Sequence, residues 1–128
     1  MENPIKIVIA GPRGRMGREA VKMVTHQKHF QMVAVIDTGN DGKKLSEVES
    51  EFHGVDCPIY TDIHTCLKAT KPDCLIDLTV PDAAYYHAKS ALELNVRPVV
   101  GTTGISPDEL EELKTLANEK KLGCIIAP

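Results

Sequence analysis

The amino-acid sequence predicts a doubly wound α/β fold, in which helices cover both faces of a parallel sheet. Short apolar runs and amphipathic stretches alternate along all 128 residues, and this alternation is typical of βαβ units. A glycine-rich segment follows the first apolar run, where such folds receive their ligands. The chain has the length of a single domain.

The predicted strands are apolar runs rich in β-branched residues, each bounded by polar or turn-forming residues. They cover residues 5–10, 32–36, 58–61, 73–80, 97–101 and 123–127. The predicted helices lie between them, at residues 15–25, 45–50, 62–70 and 82–94 and after Ser106. Ser106 suits a helix N-cap, because proline follows it directly and Glu109 completes a capping box.

Helical spacing also predicts which side chains face the core. The helix at 15–25 carries an apolar stripe made of Met16, Ala20, Met23 and Val24. The helix at 82–94 carries a second stripe, made of Ala84, Ala88, Ala91 and Leu92. We therefore expect both helices to pack on the sheet through these residues.

Composition and charge exclude several classes of protein. A hydrophobic content of 42%, a charged content of 26% and a net charge of −3 exclude disordered and fibrous chains and do not favour nucleic-acid binding, which needs a basic surface. No apolar run approaches the roughly 20 residues of a membrane span, and the first residues lack the features of a signal peptide. The four cysteines show no C-x-x-C spacing, so we expect free thiols and a cytoplasmic protein.

The segment Gly11-Pro-Arg-Gly14-Arg-Met-Gly17 is the strongest sign of a binding site. It joins the first predicted strand to the first predicted helix, and its glycines allow a tight turn and the close approach of a phosphate to backbone N–H groups. The spacing differs from the usual G-x-G-x-x-G, but strand, loop and helix follow in the order of a Rossmann-type dinucleotide site. A simple glycine-rich turn is the alternative. Arg13 and Arg15 either bind the diphosphate or are solvated.

Asp37 follows the second predicted strand, 20 residues after Gly17. Rossmann-type folds place there the carboxylate that accepts hydrogen bonds from the adenosine ribose; a turn-forming aspartate is the alternative. A carboxylate repels a 2′-phosphate and so favours NAD over NADP. Four nearby positive charges would offset it, at Arg13, Arg15, Lys43 and Lys44. A dinucleotide bound at Asp37 would therefore be NADH, NADPH or both.

Two further loops are expected at the same edge of the sheet. Thr79 lies near the end of the predicted strand 73–80, and Gly101-Thr-Thr-Gly104 follows the strand 97–101. The hydroxyls of Thr102 and Thr103 offer hydrogen-bonding groups where a nicotinamide would lie, although a plain turn before the next helix fits equally well. The sequence suggests no partner for His87.

Three segments together resemble the dihydrodipicolinate reductase family, NAD(P)H-dependent enzymes of the diaminopimelate route to lysine. They are Gly11-Pro-Arg-Gly-Arg-Met-Gly17, Ile76-Asp-Leu-Thr79 and Val100-Gly-Thr-Thr-Gly104. The resemblance covers essentially the whole chain and is closest to the versions of Bacillus-like bacteria. Ile125-Ile-Ala-Pro128 is similar to the start of the family's A-P-N-F segment.

The resemblance implies reduction of 4-hydroxy-tetrahydrodipicolinate (dihydrodipicolinate) to tetrahydrodipicolinate. It implies cofactor contacts from residues 11–16, from Asp37, from the loop that begins at Gly101 and from the segment that begins at Ala127. With the residues already described, the candidate cofactor-binding set is Gly11, Pro12, Arg13, Gly14, Arg15, Met16, Gly17, Asp37, Thr79, Gly101, Thr102, Thr103, Ala127 and Pro128. The family's H-H-x-x-K catalytic segment is absent from these residues, so no catalytic residue is carried over, and no metal ligand is expected.

The resemblance also implies a domain organisation. Residues 1–128 would form the NAD(P)-binding domain, and a carboxy-terminal domain that binds the small-molecule substrate and forms a homotetramer would lie outside this chain. The chain stops where its last strand reaches the expected crevice, so we expect the amino-terminal part of a longer protein, monomeric by itself. Another Rossmann oxidoreductase of amino-acid metabolism and a stand-alone nucleotide-sensing domain are the alternatives.

Overall fold

The strands of the computed structural model, which describes residues 3–127, pair in parallel within one sheet. They are β1 Ile5–Ala10, β2 Phe30–Ile36, β3 Ile59–Tyr60, β4 Cys74–Asp77, β5 Arg97–Val100 and β6 Ile125–Ile126. The helices are α1 Arg15–Thr25, α2 Leu45–Val48, α3 Ile63–Thr70, α4 Pro81–Glu93 and α5 Pro107–Lys120, with a 3-10 turn at Ser50–Phe52. Across the sheet the order is β3-β2-β1-β4-β5-β6, which confirms the predicted doubly wound Rossmann-type fold.

The first strand of the chain lies in the middle of the sheet. β1 pairs with β2 on one side and with β4 on the other, so the chain builds one half of the sheet before it crosses to the second half. The direction of winding reverses between β1 and β4. The carboxyl ends of these two strands form the switch point at which open α/β sheets bind ligands.

Helices pack on both faces of the sheet. On one face α1 buries Val21 and Val24 in a cluster with Ile9 of β1. On the opposite face α3 and α4 pack against a cluster that includes Leu75 of β4, and α5 adds Leu113 to a neighbouring cluster. Both core layers thus hold the two central strands in place.

The face that carries α1 stays open over β4, β5 and β6. An apolar groove of about 680 Å³ lies there, and Ile76, Val99 and Ile125 are among its lining residues. Ile125 is 61% exposed. Half of one sheet face therefore lacks a covering helix within the part of the chain that the structure describes.

The predicted inward face of α1 was wrong for two of its residues. Met16 and Met23 are 59% and 51% exposed, and the buried residues of the helix are Gly17, Val21 and Val24. These three positions form a stripe with the same helical spacing as the predicted one. The backbone of the preceding loop packs directly against Gly17, and this contact turns the stripe toward the sheet. The predicted stripe of α4 is confirmed, since all four of its residues are buried.

The predicted strand 73–80 ends early. β4 stops at Asp77, and Pro81 is already the first residue of α4. The chain turns here because the Asp77 carboxylate accepts hydrogen bonds from the amide and the hydroxyl of Thr79. The capping box predicted for Ser106 and Glu109 is confirmed.

The cysteines are free thiols, at Cys57, Cys66, Cys74 and Cys124. Burial raises the pKa of the Cys66 thiol to about 12 and that of Cys57 to about 11. Both therefore stay protonated and unreactive at neutral pH. Between residues 3 and 127, no helix is both long enough and apolar enough to cross a membrane.

Gly17 tests the contact on which the start of α1 depends. A Cβ at this position would lie 1.8 Å from the carbonyl oxygen of Gly11. Helix propensity alone predicts that Gly17→Ala stabilises the protein by about 1 kcal/mol, whereas the clash predicts a loss of about 3 kcal/mol. We expect the loss, measured as the free energy of unfolding in urea.

Gly14→Ala is the matched control for this prediction. A Cβ on Gly14 would meet no atom closer than the Gly11 oxygen at 3.8 Å. We expect this variant to change stability by less than about 1 kcal/mol. Equal effects of the two substitutions would contradict the proposed clash at Gly17.

Candidate functional site

Five loops lie side by side along the carboxyl edge of the sheet. In spatial order they follow β2, β1, β4, β5 and β6 and begin at Asp37, Gly11, Leu78, Gly101 and Ala127. With neighbouring strands about 4.8 Å apart, the edge extends about 19 Å from β2 to β6. The structure thus aligns the candidate residues of the sequence, apart from Pro128, which lies outside the described residues.

The loop after β1 needs a glycine at its first position. Gly11 has a φ of +81°, and a Cβ there would lie 3.1 Å from both the Leu78 carbonyl oxygen and the Thr79 Cγ2 atom. Its N–H donates to the Ile36 carbonyl oxygen over 3.0 Å. The β1–α1 loop is therefore held between the loops that follow β2 and β4.

The start of α1 is suited to bind an anion. Gly14 is the N-cap and provides no side-chain cap, and the first turn contains no acidic residue. The N–H groups of this turn, at Arg15, Met16 and Gly17, have no acceptor within the helix. They lie at the positive end of the helix dipole, where phosphate groups bind in many proteins.

Arg13 lies beside Asp37 rather than over the start of α1. Its Nε donates to Asp37 Oδ2 over 2.6 Å, while Asp37 Oδ1 accepts from the Thr38 amide over 2.7 Å. The side chain of Arg13 is 39% exposed and that of Asp37 is 10% exposed. A positive and a negative group therefore lie together at the position expected for the ribose.

Arg18 holds the far end of the glycine loop. Its Nε donates to the Arg13 carbonyl oxygen over 3.0 Å, and its guanidinium also donates to Glu49 and Glu51. The pKa of Glu51 lies below its usual value because Lys22 and Arg18 donate hydrogen bonds to its carboxylate. The sequence analysis missed Arg18, since its acidic partners lie more than 30 residues away in the chain.

A fully buried carboxylate lies at the centre of the edge. Asp77 Oδ1 accepts from the Thr79 amide over 2.9 Å and from the Thr79 hydroxyl over 2.5 Å. Asp77 Oδ2 lies 2.5 Å from Nδ1 of His87. The carbonyl oxygen of Asp77 accepts from the Gly101 amide over 2.9 Å. Asp77 thus connects β4, α4 and the loop after β5.

The sequence analysis did not find the pairing of Asp77 with His87. The residues are 10 positions apart, and only the packing of α4 against β4 brings them together. One local signal was available: an aspartate two residues before a threonine at the end of a strand favours a side-chain turn of the kind seen here.

The loop after β5 lies close to the glycine loop. A Cβ on Gly101 would lie 2.6 Å from Leu78 Cδ2 and 3.8 Å from Met16 Cε. Beyond it, a shallow pocket of about 260 Å³ has Thr102, Thr103 and Ala127 among its lining residues. The structure therefore brings these three candidates together. The large apolar groove on the α1 face includes none of them.

Within the described part of the chain, no group of three or more His, Cys, Asp or Glu side chains is arranged to hold a metal ion. Of the polar groups at the edge, the backbone N–H groups and the Arg13 guanidinium suit a phosphate, and the hydroxyls and carboxylates suit hydrogen bonds with an uncharged polar group.

Strand order, glycine loop and helix start together define a Rossmann-type nucleotide-binding domain. The family described as "Dihydrodipicolinate reductase, N-terminus" matches residues 5–128. The chain belongs to this family, which confirms the resemblance seen in three segments of the sequence.

Curated relatives agree with this assignment. The chain is 56% identical over 124 residues to the 4-hydroxy-tetrahydrodipicolinate reductases of Geobacillus kaustophilus and Bacillus subtilis, with 97% of this chain and 46% of each relative covered. It therefore spans about half the length of the curated relatives that it matches.

Solved structures show the same fold. A dipicolinate-bound dihydrodipicolinate reductase from Paenisporosarcina sp. TG-14 matches with a TM-score of 0.85 and 39% identity, over 98% of this chain and 47% of that one. Apo scyllo-inositol dehydrogenase from Lactobacillus casei matches with a TM-score of 0.79 at 16% identity, over 98% and 37% of the two chains. The second likeness concerns the fold alone.

Proposed function

We propose that this chain is the cofactor-binding domain of a reductase that converts 4-hydroxy-tetrahydrodipicolinate to tetrahydrodipicolinate with NAD(P)H, in the diaminopimelate route to lysine. The observation that carries the proposal is the alignment of the glycine loop, Asp37, Thr79 and the Gly101 loop along one sheet edge. Membership of the reductase family supports the choice of reaction. Such a biosynthetic enzyme would work in the cytoplasm.

The proposed dinucleotide lies across the switch point of the sheet. Its diphosphate contacts residues 11–17, its adenosine ribose contacts Asp37, and its nicotinamide lies against the loop of Gly101, Thr102 and Thr103. Thr79 lies between these ends, and Ala127 completes the nicotinamide side. The open space at Gly14, where a Cβ would have no neighbour within 3.8 Å, fits a phosphate that approaches the backbone.

The chemistry of the reaction divides between cofactor and protein. The bound NAD(P)H supplies a hydride, and the residues of this chain bind and orient the cofactor. No residue of this chain is assigned a catalytic role, because the family's H-H-x-x-K segment does not occur among its 128 residues. The substrate-binding and proton-transferring residues are proposed to belong to a carboxy-terminal domain.

The Arg13–Asp37 pair supports the use of both cofactors. A ribose with free hydroxyls would donate to the Asp37 carboxylate, as in NAD-binding folds, whereas a 2′-phosphate would pair with the guanidinium of Arg13. The Arg13 side chain is exposed enough to turn from the Asp37 carboxylate to a 2′-phosphate. We therefore propose that NADH and NADPH both bind.

The open half of the α1 face supports a longer protein. The apolar groove there is lined by Ile76, Val99 and Ile125 among others, and such a surface is normally covered. We propose that the second domain of the reductase binds the substrate and forms a homotetramer.

We expect the 128-residue chain to be monomeric in light scattering; a tight tetramer would place the tetramer contacts within this domain.

Calorimetric titration tests the proposed function directly. We expect the 128-residue chain to bind NADH and NADPH but to show no reductase turnover alone. Gly14→Val should abolish binding of both cofactors, because a branched side chain would occupy the space of the diphosphate, while its Cβ would meet no protein atom closer than 3.8 Å. Robust turnover, or undiminished binding by Gly14→Val, would contradict the proposal.

Asp37→Ala tests the assignment of the ribose position. Loss of a charge-assisted hydrogen bond should weaken NADH binding by about 1–3 kcal/mol. NADPH should lose less affinity or gain some, because the repulsion of its 2′-phosphate disappears and Arg13 is released. The ratio of the two dissociation constants is the measurement, since general destabilisation affects both alike.

Asp41→Ala is the matched control for Asp37→Ala. Asp41 lies in the same loop and accepts hydrogen bonds from Thr61, away from Arg13. We expect it to leave the ratio of NADH to NADPH affinity unchanged. Equal losses for both cofactors in Asp37→Ala would mean that Asp37 only shapes the turn.

A further inference from the structure

The buried Asp77 carboxylate is an unusual feature for the centre of a sheet edge. Among the described residues, the buried polar or charged side chains are Asp77 and Ser90, at 0% and 1% exposure. A carboxylate away from water is costly unless hydrogen-bond donors surround it. The donors here are the amide and hydroxyl of Thr79 and the ring of His87.

The two carboxylate oxygens divide these donors between two elements. Oδ1 holds Thr79 in the loop after β4, and Oδ2 faces Nδ1 of His87 in α4. When Asp77 is a carboxylate, which only accepts hydrogen bonds, Nδ1 of His87 is the donor in this pairing. The His87 side chain is 13% exposed, so α4 holds it in place beside the strand end.

The segment held by Asp77 separates the two loops of the proposed cofactor site. On one side, the space at Gly11 is limited by Leu78 and Thr79; on the other, Leu78 Cδ2 would lie 2.6 Å from a Cβ on Gly101. The Gly101 amide also donates to the Asp77 carbonyl oxygen. A displacement of this segment would therefore move the diphosphate loop and the nicotinamide loop together.

We propose that His87 is a positioning residue for dinucleotide binding, acting through Asp77 on residues 78–79 without contacting the cofactor. This inference rests on the proposed function. His87 completes the set of hydrogen-bond donors around the buried Asp77 side chain. Without the His87 ring, Asp77 Oδ2 has no hydrogen-bond partner among the described residues, and a buried polar atom stays unsatisfied unless water enters. Either an unsatisfied oxygen or an entering water would loosen the hold of the Asp77 side chain on Thr79.

Substitutions of His87 separate this role from general support of the helix. His87→Leu removes the donor, whereas His87→Asn keeps an amide N–H near the position of Nδ1. Ser90→Ala is the matched control, because Ser90 is buried in the same helix one turn further on and is not among the hydrogen-bond donors to Asp77. The readouts are NADH and NADPH titration and amide hydrogen exchange at Thr79 and Gly101.

His87→Leu is expected to weaken NADH and NADPH binding roughly tenfold, as for the loss of a hydrogen bond to a charged group. It should also speed amide exchange at Thr79 and Gly101. His87→Asn should restore most of both properties, and Ser90→Ala should leave them unchanged even where it lowers the free energy of unfolding. If His87→Leu does not fold, His87→Gln replaces it in the comparison with His87→Asn. The glutamine amide lies one methylene further from the backbone, so it places no N–H at the position of Nδ1.

The outcomes distinguish this inference from the proposed function. If the unsubstituted chain binds neither cofactor, the proposed function fails, while amide exchange at Thr79 and Gly101 still tests the role of His87. Unchanged exchange and unchanged affinity in His87→Leu would overturn the inference and leave the cofactor site standing. Reduced unfolding free energy alone, without faster exchange at these two amides, would also overturn it.

Discussion

The close contact between the Gly11 backbone and the first turn of α1 is the constraint on which the carboxyl edge of the sheet depends, and it exists because Gly17 has no side chain. Because a Cβ at Gly17 would lie 1.8 Å from the Gly11 oxygen, the helix begins in direct contact with the loop that precedes it. This contact sets the rotation of α1 about its own axis. It turns Val21 and Val24 into the core and leaves Met16 exposed beside the Gly101 loop.

Two aspartates at the same edge show how burial decides the role of a carboxylate. Asp77 is fully buried, and the groups that donate hydrogen bonds to it lie on Thr79 and His87. Its side chain is therefore held in one position at the end of β4. Asp37 is paired with the exposed guanidinium of Arg13, and an ion pair of this kind exchanges partners at little cost. The first would suit the proposed positioning of loops, and the second would suit the proposed binding of both NADH and NADPH.

The fold follows from the sequence where the signal is local. Apolar runs, turn residues and the Ser106 cap predicted the strands and helices to within a few residues, and the glycine loop and Asp37 appeared at the expected strand ends. Properties that depend on packing did not follow. The facing of α1 depends on a backbone contact at Gly17, and the Asp77–His87 pair depends on how α4 lies against β4. Helical periodicity contains neither piece of information.

The central position of β1 has a consequence for the synthesis of the protein on the ribosome. β2 follows β1 in the chain, but β4 begins only at Cys74. The edge of β1 that pairs with β4 therefore stays unpaired until β4 has been synthesised. The roughly 40 residues between the end of β2 and the end of β4 take roughly 2–8 s to synthesise at 5–20 residues per second. During that interval the nascent chain offers unpaired backbone groups to other strands. Cotranslational folding therefore has a vulnerable period, which closes when β4 pairs with β1.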